Sequence, residues 1–225
     1  LRQVEVIKGS SSTLYGGGAI AGLVNLVSKT PTDDRELCFM ATGTSAKGLD
    51  LSGFYSERYG KVGVTVFGSR NTASAYDPAN IGLTAIPKFE RYTLNPRLFL
   101  YGDKTTMDVG FSYITEDRVG GSMDYIKKGT SGYFEENNTD RFTTQFGISH
   151  RLGDRSGINF KNSYTRFDRA ITIPSYQFQG LQQSTFSEFT YSNEREKAQW
   201  VVGANVLTDA FAEEGQPANL KRNYH

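Results

Sequence analysis

Residues 107–113 read Met107-Asp108-Val109-Gly110-Phe111-Ser112-Tyr113, with a large apolar side chain at every odd position and a small or polar residue between. Because successive side chains of a β-strand point to opposite faces of its sheet, this alternation predicts a strand with one apolar and one polar face. The same period of two recurs at residues 62–66, 91–100 and 142–152. About nine strands of this kind are predicted after residue 31.

The composition excludes several classes of protein. The 225 residues include 25 Lys and Arg against 24 Asp and Glu, so the formal charge is +1 and nothing in it favours a nucleic-acid partner. No apolar run reaches the roughly 18 residues of a membrane helix. Cys38 is the single cysteine, so no internal disulfide forms, and it shares no recognised zinc-ligand spacing with His150 or His225. No metal or cofactor is therefore predicted, and Cys38 is interpreted as a small strand residue.

The predicted connections between strands alternate between short and long. Short links are predicted at 58–61, 102–104, 153–156 and 192–197, and long ones at 72–90, 116–139 and 169–182. Alternate connections of an up-and-down antiparallel sheet lie at opposite ends, so one end would carry short turns and the other long loops, as in outer-membrane barrels. The link Ala46-Lys47-Gly48 is short where a long one is due.

This pattern favours a transmembrane antiparallel up-and-down β-barrel, and a soluble β-sheet protein such as a sandwich is the alternative. In a barrel, the charged residues opposite the apolar face would line the lumen. The charged residues that parity assigns to this face are Arg91, Arg97, Asp108, Arg141, Arg151, Lys161 and Glu188. Their simplest role is hydrogen bonding to water and to a domain that fills the lumen, and a direct role in ligand transit is the alternative.

The first thirty-one residues follow a different pattern. A short β-favouring run from Val4 to Ile7 ends at Gly9, and Thr13 to Tyr15 fits one helical turn stopped by glycines. A second strand is predicted from Leu23 to Lys29. The polar break after Pro31 is the predicted domain boundary.

The segment from Val4 to Lys29, VEVIKGSSSTLYGGGAIAGLVNLVSK, resembles the end of the plug domain of TonB-dependent outer-membrane receptors. The family pattern is close to V-E-V-I-[RK]-G-P-x-S-x-L-Y-G-x-G-A-x-G-G-x-[IV]-N-[IL]-[IV]-[ST]-K. The chain departs from it at Ser10, where proline is usual, and at Ala21, where glycine is usual. The resemblance implies that residues 1–31 are the C-terminal part of a small α+β plug domain. Residues 32–225 would be the N-terminal part of the barrel, about nine strands and not closed, so we expect a portion of a longer receptor.

The resemblance also implies a function. Receptors of this family sit in the cell outer membrane and import a scarce nutrient, most commonly an iron–siderophore complex, with energy from the TonB–ExbB–ExbD complex. The implied partners are that complex, a small-molecule chelate and outer-membrane lipid, and the implied protein is not an enzyme. A passive porin-like or structural barrel is the alternative function. An outer-membrane enzyme would need a nucleophile, base and orienting group, and none is recognisable in the sequence.

Within the plug segment, the resemblance implies that Glu5 and Lys8 contact charges on the barrel wall, although solvated surface charge explains them as well. The glycines Gly9, Gly16, Gly18 and Gly22 are interpreted as residues of tight plug turns. The spacing Gly16-x-Gly18-x-x-Ala21 superficially matches a dinucleotide fingerprint. That fingerprint needs a strand before it and a helix after it, which is the reverse of the predicted order.

Aromatic residues in or beside the predicted long loops are candidates for ligand contact, because flat rings supply contact area at a low cost in entropy. These candidates are Tyr76, Tyr125, Tyr133 and Tyr176. Packing of the loops on themselves explains them equally well. Trp200 falls near a short turn and is predicted to anchor the chain at the membrane interface.

Overall fold

A computed structural model of the chain describes residues 1–9, 22–129, 132–195 and 198–213 and the backbone of 221–224. The chain divides into two compact units, Leu1–Pro31 and Thr32–His225. The first unit contains a two-stranded sheet and the second a ten-stranded sheet.

The first unit is built on an antiparallel hairpin of β1 (Gln3–Lys8) and β2 (Gly22–Val27). Both predicted strands are confirmed, and β2 ends two residues before the predicted Lys29. Gly22 has a φ of +136°, and a Cβ at this position would lie 2.6 Å from the carbonyl oxygen of Ile7, so the hairpin requires glycine here. The predicted helical turn at Thr13 to Tyr15 lies outside the described residues.

The second unit is one antiparallel sheet in which each strand pairs with the next along the chain. Its strands are β3 (Glu36–Gly43), β4 (Leu49–Tyr59), β5 (Val62–Ala73), β6 (Lys88–Tyr101), β7 (Thr105–Gly121), β8 (Phe134–Arg151), β9 (Ser156–Ile173), β10 (Tyr176–Arg195), β11 (Ala198–Glu213) and β12 (Lys221–Tyr224). The predicted fold class is confirmed, with ten strands in place of about nine. The sheet is open, because β3 and β12 are its two edges.

Register divides the sheet into two faces that stay constant from strand to strand. The apolar face is defined by the row Val62, Leu100 and Met107 and by the residues in phase with it, such as Val109 and Phe111. Val109 is 49% exposed and Phe111 is 45% exposed, so no second sheet covers them among the described residues. This exposure excludes the sandwich alternative, whose apolar face would be buried.

The opposite face, called the charged face below, carries all seven charged residues that parity assigned to the lumen. Pairing connects Arg91 to Glu116, Arg97 to Gly110 and Lys161 to Glu188 on this face. Apolar residues alternate out of phase with them over the run from Tyr92 to Leu100 in β6. A run of about nine residues is what a tilted strand needs to cross the hydrocarbon layer.

The central strands are longer than predicted, because β7 to β10 contain 17, 18, 18 and 20 residues. The predicted long loop 169–182 is wrong, since only Pro174 and Ser175 lie between β9 and β10. The predicted loop 116–139 shrinks to residues 122–133. Backbone ladders need paired N–H and C=O groups and not apolar side chains, so polar sequence continues as strand beyond the membrane.

The two ends of the sheet therefore differ less than predicted. One end carries only short connections, at 60–61, 102–104 and 152–155. The other end carries the two long ones, 74–87 and 122–133, but also the short links 44–48 and 174–175. The predicted short link at Ala46 to Gly48 is confirmed as a turn in which Lys47 has a φ of 59°.

One short helix, α1 (Met123–Lys128), lies in the connection between β7 and β8 and ends at Gly129, which has a φ of 66°. In the described part of the chain, no helix has both the length and the apolar character needed to cross a membrane. Cys38 lies in β3 and is a free, exposed thiol.

The two faces predict opposite outcomes for the same substitution at neighbouring positions of β8. Phe146 lies on the apolar face, where it pairs with Val109, and Gln145 lies on the charged face, where it pairs with Gly110. In the full-length protein folded into lipid vesicles, Phe146→Arg is expected to lower the free energy of unfolding by about 2–4 kcal/mol, because arginine must enter hydrocarbon. Gln145→Arg is the matched control and should cost less than about 1 kcal/mol. Equal losses for both variants in urea titrations would contradict the assignment of faces.

Candidate functional site

A cavity of about 670 Å³ opens on the charged face and is lined by strands β3 to β9. Its charged lining residues are Asp50, Arg91, Glu116, Arg118, Arg141 and Arg169. Four arginines face two carboxylates, so the lining carries a formal charge of +2. We call this feature the arginine cavity.

Strand register brings these residues together from distant parts of the sequence. Arg91 pairs with Glu116, Glu116 pairs with Thr139 and Thr139 pairs with Arg169, so four strands contribute to one row. Arg141 lies in the adjacent row, opposite Phe167. The cavity is therefore a consequence of pairing order and of the two-residue period, and no single segment contains it.

Glu116 is the centre of the ion-pair network. Its residue exposure is 8%, and its carboxylate accepts hydrogen bonds from Arg91 Nε at 2.5 Å and from Arg118 Nε at 2.9 Å. The second terminal nitrogen of each guanidinium also pairs with this carboxylate. A buried carboxylate held by two guanidinium groups satisfies its own desolvation cost and fixes both arginine side chains.

The other two arginines of the cavity have weaker partners. Arg169 Nε donates to Asn137 Oδ1 at 3.1 Å, and the Arg141 guanidinium carbon lies 4.6 Å from the centroid of the Phe167 ring. Neither contact neutralises charge. Among the described residues, no carboxylate forms an ion pair with Arg141 or Arg169, which leaves guanidinium N–H groups directed to whatever fills the cavity.

A second ion pair lies nearer the short-turn end of the charged face. Arg97 and Asp108 are 2.7 Å apart. Each leans over a glycine on the next strand: a Cβ on Gly110 would lie 2.5 Å from Arg97 Cγ, and a Cβ on Gly147 would lie 2.5 Å from Asp108 Oδ1. These glycines provide the space in which long charged side chains can lie flat on the wall.

The tyrosines predicted to contact a ligand lie at the long-loop end, but none of the four lines the arginine cavity. Tyr76 forms an isolated bridge with Ile86 inside connection 74–87. Tyr133 is 56% exposed just before β8. Tyr176 was predicted to lie in the loop 169–182, but it is the first residue of β10, because the ladder of backbone hydrogen bonds continues almost to the turn. Ligand contact by these residues remains a prediction.

Tyr125 is the most constrained of the four. It lies in α1, stacks on Phe134 with ring centroids 4.0 Å apart and donates a hydrogen bond to Glu136 at 3.0 Å. Desolvation raises the pKa of the Tyr125 hydroxyl above its ordinary value, and the hydrogen bond to Glu136 raises it further. This tyrosine is held in place by the first residues of β8, and its contact with a ligand remains a prediction.

The two long connections are tied to each other at their bases. The backbone N–H of Thr84 donates to the carbonyl oxygen of Gly121, and the backbone N–H of Gly121 donates to the side-chain oxygen of Thr84. Each of these hydrogen bonds is 2.9 Å long. The N–H of Met123 donates to the carbonyl of Gly82 at 2.9 Å. Connections 74–87 and 122–133 therefore form one joined rim at the long-loop end.

The residues predicted from the plug motif are only partly described. Glu5 accepts hydrogen bonds from Asn25 at 2.8 Å and from Gln3, so its carboxylate is engaged within its own hairpin. Gly9 has a φ of +95°, in keeping with a turn. Gly16 and Gly18 lie outside the described residues. The proposed barrel contacts of Glu5 and Lys8 remain predictions.

Trp200 lies near the start of β11 in phase with Val202, and it is 60% exposed. Its role as an interface anchor stays a prediction. Within the described ranges, no group of three or more His, Cys, Asp or Glu residues could hold a metal ion.

Sequence reasoning missed Glu116, Arg118 and Arg169 as members of a site. All three lie in or at the edge of stretches that were interpreted as loops because of their polarity. The available signal was parity, since Glu116 and Arg118 continue the even phase of Asp108 and Gly110 along β7.

Known proteins resemble this chain in sequence and in fold. No family model matches the sequence. The ferrioxamine receptor of Yersinia enterocolitica is 28% identical over 185 residues, which cover 73% of this chain and 24% of that protein. This chain thus spans about a quarter of that relative's length.

Solved structures of similar fold are also receptors. The siderophore receptor PiuA of Acinetobacter baumannii matches with a TM-score of 0.75 at 13% identity, over 94% of this chain and 35% of that one. The open form of the ferric-catecholate import receptor Fiu of E. coli K12 matches with a TM-score of 0.65 at 17% identity, over 94% of this chain and 39% of that one. Likeness at this identity establishes the fold. That the relatives are receptors and not enzymes confirms the corresponding prediction.

The ion-pair network predicts that Glu116 is required for stability. In the full-length protein, Glu116→Gln leaves Arg91 and Arg118 close together without their shared anion, and the expected loss is about 1–3 kcal/mol of unfolding free energy. The neighbouring Asp117→Asn, on the opposite face and exposed, is the control and should change stability by less than about 0.5 kcal/mol. Urea titration measures both, and a smaller loss for Glu116→Gln than for Asp117→Asn would contradict the network.

Proposed function

We propose that the chain is a portion of a TonB-dependent outer-membrane receptor and that this receptor imports a ferric siderophore with energy supplied through TonB. The observation that carries the proposal is the arginine cavity, a site of unsatisfied hydrogen-bond donors on the charged face of a wall whose other face is apolar. Such a wall separates a wet lumen from lipid and offers the lumen a place where a polar solute can be held.

The class of solute follows from the relatives. The names of the similar proteins refer to ferrioxamine, a siderophore and ferric catecholate, all of them iron chelates or their ligands. A chelate is scarce and bulky, so passive diffusion through an open channel would deliver it too slowly. Binding with directed hydrogen bonds concentrates it at the outer surface.

The plug segment supports the energised mechanism. A hairpin that carries the plug motif precedes the sheet in the chain. We propose that ligand binding is signalled through the plug and that the TonB–ExbB–ExbD complex then rearranges it to open a path. Glu5 and Lys8 would hold the plug against charges of the barrel wall until that step.

A passive porin-like or structural barrel is the second candidate. The apolar face and the up-and-down topology suit it equally well. A passive barrel, however, has no use for a plug motif, and its transport would not respond to the loss of an energy source.

Uptake of radioactive iron separates these candidates. A strain lacking the full gene should lose growth and uptake on one ferric siderophore while keeping them on ferric citrate, and the gene returned on a plasmid should restore both. Energised uptake should stop when a protonophore is added or when tonB is deleted. Uptake that persists under both treatments would contradict energised import, and an unchanged growth profile on every iron chelate tested would contradict the siderophore assignment.

The plug contact has its own test. Lys8→Glu in the full receptor is expected to weaken plug retention, seen as increased permeability of the receptor to a small antibiotic that is normally excluded. Lys8→Arg keeps the charge and is the matched control. Equal permeability and equal siderophore uptake for wild type and Lys8→Glu would remove Lys8 from this role.

A further inference from the structure

We propose that the ligand of this receptor is an anionic chelate and that Arg141 and Arg169 donate hydrogen bonds to its charged oxygens. The inference rests on the proposed function and concerns the same site. It assigns a charge class to the ligand and names the two residues that select it. The cavity supports it through the way in which its charges are paired.

Two of the four arginines already have an anionic partner. Arg91 and Arg118 both donate to the carboxylate of Glu116, which is 8% exposed. Their positions are fixed by that anion, and their charge is partly neutralised. They shape the cavity more than they attract a solute.

Two further carboxylates of the charged face have uncharged hydrogen-bond partners. Asp50 accepts a hydrogen bond from the side-chain amide of Asn71 at 2.7 Å. Asp209, on β11, accepts two contacts of 3.0 Å from the Gln182 amide. Neither amide carries charge, but each occupies a carboxylate oxygen and holds it in the plane of the wall. No described carboxylate reaches Arg141 or Arg169 as an ion pair.

Arg141 and Arg169 are placed as a pair. They lie on adjacent strands β8 and β9, where Arg141 pairs with Phe167 and Arg169 pairs with Thr139. Diagonal positions of this kind are separated by about 7–8 Å. That spacing separates the backbone positions, and from it two long guanidinium side chains can both reach one bulky anion whose negative oxygens point in several directions.

Their remaining contacts preserve this ability. The Phe167 ring lies against Arg141 at 4.6 Å and so supports the flat face of the guanidinium, which leaves the N–H groups at its edge free. Asn137 takes only the Nε proton of Arg169, so the terminal nitrogens remain available. Both side chains are therefore oriented by uncharged neighbours, and no described carboxylate neutralises their charge.

Charge then discriminates between chelates. Ferric tris-catecholates carry a large negative charge, whereas ferrioxamine B keeps a protonated amine and is cationic. A lining with a formal charge of +2 attracts the first and repels the second, most strongly where the walls limit access of water. The alternative occupant of the same donors is a carboxylate of the plug in the assembled receptor.

The test measures binding of both chelates by the purified full receptor in detergent. Quenching of tryptophan fluorescence reports the binding. The probes are ferric tris(2,3-dihydroxybenzoylserine) and ferrioxamine B. The variants are Arg141→Gln, Arg169→Gln and the double variant. Arg166→Gln is the matched control, because Arg166 lies on the same strand β9 with the opposite phase and pairs with Asp168 at 3.6 Å.

Wild type should bind the catecholate probe more tightly than ferrioxamine B, with affinity that falls as salt is raised. Each single variant should lose about tenfold in affinity for the catecholate and the double variant about a hundredfold, while Arg166→Gln stays within about twofold of wild type. A double variant that unfolds more easily but binds the catecholate as wild type does would assign the arginines to plug contact and overturn the inference.

Two other results are also decisive. Tighter binding of ferrioxamine B than of the catecholate would overturn the charge class and leave siderophore import intact. Binding of neither chelate by a folded wild-type receptor that does bind a different, non-iron solute would overturn the proposed function and the inference with it.

Discussion

The structure depends on one constraint, which is that backbone N–H and C=O groups within a bilayer must find partners in the protein itself. A sheet in which each strand pairs with the next satisfies this requirement for its inner strands. In the described part of the chain, unpaired backbone groups lie at the edge strand β3 and along the part of β11 that the four-residue β12 does not cover. Pairing in strict order also keeps the side-chain phase in register across the sheet. The central rows of one face become mainly apolar, as at Val62, Leu100 and Met107, and the opposite face carries the charged rows, as at Arg91 and Glu116.

The charged face converts this regularity into a site. Residues separated by many positions in the chain become neighbours, as Arg91, Glu116 and Arg169 do in a single row. Glycines such as Gly110 and Gly147 leave space in which charged side chains can lie along the wall. The buried carboxylate of Glu116 orders Arg91 and Arg118, and the cavity also holds two arginines without a described ion-pair partner. The proposed recognition of a ligand depends on these two.

The alternation at residues 107–113 was enough to predict strands, faces and the barrel class, because side-chain phase is a local property. It was also enough to place Arg91, Arg141 and Lys161 on one face. The ends of the strands were not predictable in this way. At Arg169 and Gln182 the chain becomes polar, and polarity resembles a loop although the ladder continues almost to Pro174. The arginine cavity was not predicted either, because its lining residues are brought together by the pairing of distant strands.

The central claim is that residues 107–113 present one face to lipid and the other to a wet lumen. The most direct measurement introduces cysteine at each of these seven positions in a Cys38→Ser background of the full-length protein and attaches a fluorophore. It then records quenching in lipid vesicles by brominated lipid and by a water-soluble quencher. The account predicts lipid quenching at 107, 109, 111 and 113 and weak lipid quenching at 108, 110 and 112. Uniform exposure to the aqueous quencher, without alternation, would contradict it.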